Sequence, residues 1–224
     1  MSQPEIAYIE VGGRSIAYRR RGGNAPALLF LPGYASDMEG AKALALDAFA
    51  AGRGHTLVRF DYSGTGASGG AFADGTLDRW LDEALAVIDQ LTDGPVILVG
   101  SSMGGWIALH AAARRPARVA AVVGIAAAPD FTDWGGDGLA PAFRESGQRL
   151  LLLGGEIAVD CPVRLVHGAA DPDVPLDIAF RTMRGLRSAD VQVTVIKDGG
   201  HRLSEPHQIA TILSTVDALL EPAA

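Results

Sequence analysis

Gly100-Ser101-Ser102-Met103-Gly104 sets a serine between two glycines in the pattern G-x-S-x-G. The pattern follows the apolar run Pro95-Val96-Ile97-Leu98-Val99, which reads as a strand, and opens onto Trp106 to Arg114, which reads as a helix. A serine at a sharp strand-to-helix turn is held in a strained conformation with its side chain above the sheet. The flanking glycines are needed because a Cβ at either place would collide with the turn. Ser101 has no glycine two positions before it, so Ser102 is the candidate nucleophile. The chemistry such a serine does is acyl transfer through a covalent intermediate.

A serine hydroxyl attacks a carbonyl only when a base takes its proton, and a carboxylate must hold that base. After a nucleophile of this kind the acid and the histidine follow in that order. The strand Val163 to Val166 is followed by His167-Gly168-Ala169-Ala170-Asp171-Pro172-Asp173, and Asp171 in that loop is the candidate acid. Asp173 is its nearest competitor and is assigned instead to capping a helix that begins at Pro175. The run Val191 to Ile196 leads into Lys197-Asp198-Gly199-Gly200-His201, a glycine-softened loop that brings His201 up as the base. The other histidines fit less well: His55 starts a strand, His110 lies in a helix, His207 lies in the first turn of the last helix, and His167 anchors the acid's loop by hydrogen bonds. Two N–H groups would receive the oxyanion, those of Met103 and of Tyr34 in the loop Leu31-Pro32-Gly33-Tyr34.

These residues need a scaffold, and the rest of the chain reads as one. Ala27 to Leu31, His55 to Phe60, Pro95 to Val99, Val119 to Ile125, Val163 to Val166 and Val191 to Ile196 are short apolar runs suited to strands buried on both faces. Leu77, Trp80, Leu81, Ala84, Leu85, Ile88 and Leu91 recur at helical spacing behind Thr76 as N-cap, and Ile209 to Leu220 repeats the pattern. Glu5 to Val11 and Arg14 to Arg20 flank Gly12-Gly13, a hairpin signal. The expectation is an α/β fold: a mainly parallel central sheet with an N-terminal antiparallel hairpin and helices on both faces, as a single domain over residues 1–224. Pro129 to Asp160, with a helical portion from Leu139 to Leu153, reads as a small cap over the C-terminal ends of the strands. Phe131, Trp134, Leu139 and Phe143 in that cap, with Trp106 beside the nucleophile, are the candidate walls of an apolar acyl pocket.

Composition narrows the partners. The net charge of −7 gives no electrostatic reason to expect nucleic acid or an anionic membrane. The lone Cys161 cannot form an internal disulfide. Met1 to Val11 carries no secretory or mitochondrial address, and the longest charge-free stretch, Pro95 to Ala113, is broken by the glycine-rich turn. The expectation is a soluble cytoplasmic protein with no membrane span; the sequence leaves its oligomeric state open. Gly64-Thr65-Gly66-Ala67-Ser68-Gly69 matches G-x-G-x-x-G, with Asp82 and Glu83 some twenty residues on. Gly70 to Gly75 continues as loop where the helix of a dinucleotide site would begin, so no seat for a pyrophosphate forms. No metal or organic cofactor is expected.

Pro32-Gly33-Tyr34, Arg59-Phe60-Asp61-Tyr62-Ser63-Gly64, Gly100 to Trp106 and Cys161-Pro162-Val163-Arg164-Leu165 resemble one branch of the α/β-hydrolase superfamily. It is the branch of the mitochondrial palmitoyl-protein thioesterases that also cleave the acyl-glucuronide of mycophenolic acid. The resemblance runs from about Leu28 to Leu220. It implies Ser102, Asp171 and His201 as triad, Met103 and Tyr34 as oxyanion hole, and a small-molecule or acylated-protein substrate. Two features depart from the branch: the chain has no transit segment, as in a bacterial relative, and the cap is shorter. The function expected is hydrolysis of carboxylic esters or thioesters through a Ser102 acyl-enzyme. Its rivals on the same residues are a C–C bond hydrolase, a cofactor-free peroxidase, or a ligand-binding module with negligible turnover.

Overall fold

The computed structural model describes residues 3–135 and 138–220. Eight strands form one sheet in the order β1-β2-β4-β3-β5-β6-β7-β8. β1 (Ala7–Val11) and β2 (Arg14–Arg21) pair antiparallel, and Val11 faces Arg14 across Gly12 and Gly13. Both glycines take positive φ, 56° and 75°, the requirement of the two-residue turn that matches strand twist. β2 also runs antiparallel to β4 (His55–Phe60). From β4 the sheet is parallel: β3 (Asn24–Leu31), β5 (Val96–Ser101), β6 (Val119–Ile125), β7 (Val163–Gly168) and β8 (Val191–Ile196).

Alternate residues of the strands feed two separate cores, which is why the runs are apolar without a break. Leu29 and Leu31, with Val96 and Leu98, pack under α2 (Leu77–Leu91) and α3 (Met103–Arg114). Leu28 and Phe30, with Ile97 and Val99, pack under α1 (Ala41–Arg53) and α7 (Pro206–Leu220). The helix α6 (Leu176–Gly185) covers β7 and β8. Thr76 is the N-cap residue of α2, as its spacing implies, although its side chain makes no capping bond.

Between β6 and β7 the chain leaves the sheet and forms α4 (Phe131–Trp134) and α5 (Pro141–Gln148). The helix expected over Leu139 to Leu153 is therefore shorter at both ends. Pro141 occupies its first turn, where a missing N–H costs nothing. Beyond Gln148 the backbone is claimed by side chains from elsewhere. Asp130 accepts the N–H groups of Leu152 and Leu153 at 2.8 and 2.7 Å, and the Leu150 carbonyl is bound from α3. The excursion is stapled to α2 as well: Ser146 Oγ donates to Asp78 Oδ1 at 2.9 Å, and Arg149 bonds Asp78 Oδ2 at 2.8 Å. No described helix is long and apolar enough to cross a membrane.

Candidate active site

Ser102 stands between β5 and α3 with φ 54° and ψ −118°, a left-handed conformation that costs a non-glycine residue about 1–3 kcal/mol. The surrounding contacts hold it there. Its N–H donates to Ile125 O, and its own carbonyl accepts from Gly105 and Ala128. A Cβ on Gly100 would lie 2.3 Å from Gly104 O, and one on Gly104 would lie 2.1 Å from Leu31 O. The two glycines of the motif thus allow β5, α3 and the end of β3 to meet beneath the serine.

The imidazole of His201 spans the gap between serine and acid. Its Nε2 lies 3.0 Å from Ser102 Oγ and its Nδ1 lies 2.9 Å from Asp171 Oδ2. The second carboxylate oxygen of Asp171 accepts the N–H groups of Asp173 and Val174, both at 2.9 Å. That carboxylate is wholly buried, while the imidazole is 23% exposed. The loops carrying the two residues are tied together: Ala169 N–H donates to Ile196 O and Ala170 N–H to Gly199 O. His167 donates from Nε2 to Val174 O at 2.9 Å and so anchors the acid's loop. Its 3.7 Å separation from Asp171 is too long for a hydrogen bond. Asp173 is exposed and does not cap α6, whose N-cap is Pro175. What Asp173 contributes is its backbone N–H, which helps fix the carboxylate of Asp171.

Gly33 lies against Ser102, since a Cβ there would come within 3.3 Å of Ser102 Cβ. This brings the loop carrying Tyr34 alongside the start of α3, where the N–H of Met103 has no acceptor within its own helix. The Tyr34 ring turns away into an aromatic cluster, 4.9 Å from the Phe143 ring and 5.1 Å from that of Phe72. Phe72, on a short 3₁₀ turn (Phe72–Asp74), was not singled out in the sequence. Aromatic type alone does not report such a loop-to-loop contact.

Two hollows meet at Ser102 and His201. One, of about 480 Å³, runs past Gly33 and Tyr34 toward Lys42 and Arg202. The other, of about 330 Å³, is walled by Ala128, Phe131, Trp134, Pro172 and Val174. Of the five residues expected in the wall of an acyl pocket, Phe131 and Trp134 line the hollow beside Ser102. Trp106 and Phe143 do not: both are fully buried and pack the cap onto the sheet. Leu139 is half-buried against the same core. Trp106 was expected in the wall because it follows the nucleophile, but the helical period turns its ring inward. Its indole N–H donates to Leu150 O at 3.0 Å.

The sequence pattern of the alpha/beta hydrolase fold matches residues 26–143. The human palmitoyl-protein thioesterase ABHD10, mitochondrial, is 36% identical to this chain over 92% of its length and 77% of its own. The chain belongs to the alpha/beta hydrolase family. The solved mouse alpha/beta hydrolase domain-containing protein 10 superposes with a TM-score of 0.93 at 35% identity, over 96% of this chain and 98% of that one. Est1E from Butyrivibrio proteoclasticus, with ferulic acid bound, gives 0.84 at 21% identity over 96% and 97%, which speaks to the fold alone. The human relative carries a mitochondrial designation, so these likenesses lend the cytoplasmic expectation no support.

In this alpha/beta hydrolase the G-x-G-x-x-G stretch holds a side chain of its own. Asp61 Oδ2 accepts the Ala67 N–H at 2.8 Å, and a Cβ on Gly66 would lie 2.0 Å from that oxygen. Glu83, the acidic residue some twenty positions on, accepts the Ser63 N–H at 2.9 Å from a buried position. Both halves of the dinucleotide-like pattern are thus spent on shaping the loop before α2. Among the described residues the cluster with metal-ligand spacing is Asp171, Asp173 and His201. Both nitrogens of that histidine are already hydrogen-bonded within the site. Burial pushes the Cys161 thiol up to about 11, which leaves it a poor nucleophile.

Proposed function

We propose that this protein hydrolyses carboxylic esters and thioesters, with Ser102 as nucleophile, His201 as base and Asp171 as the acid that orients it. The observation that carries the reading is the continuous relay from Asp171 Oδ2 through His201 to Ser102 Oγ, at 2.9 and 3.0 Å. His201 Nε2 takes the Ser102 proton as Oγ attacks the carbonyl carbon. Asp171 keeps the Nδ1 proton in place and stabilises the imidazolium that forms. The N–H groups of Met103 and Tyr34 receive the oxyanion, each worth about 2.7–4 kcal/mol in the transition state. His201 then returns its proton to the departing oxygen or sulfur. A water molecule, deprotonated by the same nitrogen, releases the acid and restores Ser102.

The name of the human relative, a palmitoyl-protein thioesterase, supports thioesters of long acyl groups on proteins as the narrower substrate class. Phe131 and Trp134 offer the acyl chain an aromatic wall beside Ser102. The cytoplasm is the compartment proposed, and cell fractionation against a mitochondrial marker tests it. The central test is labelling with a fluorophosphonate probe. Wild type reacts with one equivalent at Ser102, and Ser102→Ala, folded by circular dichroism, does not react. Labelling of that variant at the wild-type rate would place the nucleophile elsewhere.

A further inference from the structure

Arg59 and Asp61 take no part in the relay, yet both are buried, at 0% and 1% exposure. They flank Phe60 at the end of β4, so strand alternation sends the two side chains to one face and the Phe60 ring to the other. Both reach a single residue, Met38, in the loop between β3 and α1. Asp61 Oδ1 accepts the Met38 N–H at 2.7 Å, and Arg59 Nη1 donates to the Met38 carbonyl at 2.7 Å. Nη1 also lies 3.0 Å from Glu39 Oε2, and Nη2 donates to Gln3 Oε1 at 3.0 Å. Arg59 Nε is buried with no hydrogen-bond partner among the described residues. Exchanging a buried ion pair for apolar side chains is often neutral or stabilising. Stability alone is therefore a poor account of this clamp.

The loop that it grips carries Tyr34. Gly33 lies against Ser102 at one end, and Met38 is held from β4 at the other. Between them the Ser36 N–H donates to Gly33 O at 3.2 Å, and Asp37 Oδ1 accepts the Glu39 N–H at 2.9 Å. Ala35, next to Tyr34, sits at φ 54°, a left-handed conformation that persists in a non-glycine residue only where its surroundings over-determine it. We propose that Arg59 and Asp61 are positioning residues: by fixing the Met38 backbone they hold the strained turn at Ala35 and keep the Tyr34 N–H aimed at the oxyanion. This rests on the serine-hydrolase reading above and adds what fixes its second donor.

The test uses a butyl trifluoromethyl ketone, isotope-labelled at its carbonyl carbon, whose hemiketal with Ser102 carries the oxyanion. Carbon NMR across a pH series reads where the hemiketal hydroxyl ionises, which well-placed N–H donors lower. Asp61→Asn leaves one oxygen to serve both Met38 and Ala67, and Arg59→Met frees the Met38 carbonyl. In each variant, folded by circular dichroism, the ionisation moves up by about one pH unit or more, the equivalent of about a tenfold weaker hold on the oxyanion. On phenyl butyrate kcat falls by about tenfold or more with KM little changed, because a misplaced donor costs rate rather than substrate binding. An ionisation unmoved in either folded variant, whatever its activity, assigns the pair to stability and overturns the proposal. Should one variant fail to fold, the other decides; should both fail, the proposal falls. A wild type that forms no hemiketal at Ser102 would instead overturn the serine-hydrolase reading itself.

Discussion

Trp106 and His110, one turn apart on α3, converge on a single acceptor. The Leu150 carbonyl oxygen takes the indole N–H at 3.0 Å and the imidazole Nε2–H at 2.8 Å. Burial holds His110 below its ordinary pKa despite this bond, so it stays neutral and its tautomer is set by the carbonyl. The pair joins α3, the helix that follows Ser102, to the segment after α5. Removing one donor leaves the carbonyl with the other, whereas removing both leaves it unpaired, at a cost of about 1–3 kcal/mol. Trp106→Phe and His110→Phe should therefore destabilise more together than the sum of the two single changes, with a coupling of at least about 0.5 kcal/mol. Urea denaturation of the four proteins measures it; strict additivity would mean that the shared carbonyl is not what matters.

Asp171→Asn keeps the shape of the acid but removes its charge, and a loss of about ten-thousand-fold in kcat is expected. Asp173→Asn leaves the backbone N–H that supports Asp171 in place and should cost less than tenfold. Steady-state kinetics on one activated ester compares them. If Asp173→Asn proved the more damaging, the carboxylate would be misassigned, although the mechanism would stand.

Acyl chains entering the hollow beside Phe131 and Trp134 should gain with length, by at most about 0.8 kcal/mol for each methylene buried. We expect kcat/KM to rise from acetyl through butyryl to octanoyl, and Trp134→Ala to flatten that slope. A matched acetyl, butyryl, octanoyl and palmitoyl series reads it out. A steady decline from acetyl onward would mean a cramped site and would remove the case for long acyl groups.

Burial raises the Asp78 carboxyl, but hydrogen bonds from Thr76, Arg149 and Ser146 outweigh it and hold the group below the usual carboxylate range. A depressed folded pKa contributes stability above the unfolded value, about 4, and that contribution is lost as pH falls through the folded one. Asp78→Asn should therefore melt below wild type at pH 7, and the gap should close as the pH is lowered below 4. Thermal unfolding at pH 7, 4 and 2.5 follows it. A gap that stays constant with pH would show that the charge of Asp78 contributes nothing to the α2–α5 staple.

The parallel strands and the hairpin were legible because each carries its signal locally, in continuous apolar runs and in two adjacent glycines. The three residues of the relay were legible for a related reason: each follows a strand closely, and strand ends fix position. The helix Ala41–Arg53 was harder to see. It buries chiefly Ala43, Leu46 and Ala50, so its apolar stripe is short, and its clearest mark is Gly54 in a left-handed C-cap. The cap was misjudged for a different reason. Whether Trp106 faces a ligand or Leu150, and whether 149–153 is helical, depends on hydrogen bonds from Asp130, Trp106 and His110 across the tertiary structure. Residue type and spacing do not encode those bonds.

The sheet order β5-β6-β7-β8 puts Ser102, Asp171 and His201 on loops after the first, third and fourth of these strands. β6, enclosed between them, carries no member of the relay, and its following loop is the one that grows into α4 and α5. On the proposed reading, the relay lies outside the stretch that supplies Phe131 and Trp134, although Pro172 and Val174 of the Asp171 loop share that hollow. A descendant could lengthen, shorten or exchange the stretch between Pro129 and Asp160 and meet a new acyl group without re-aligning the hydrogen bonds that do the chemistry. If the proposed reading holds, the fold lets substrate range drift by insertion and deletion while the reaction itself is inherited unchanged.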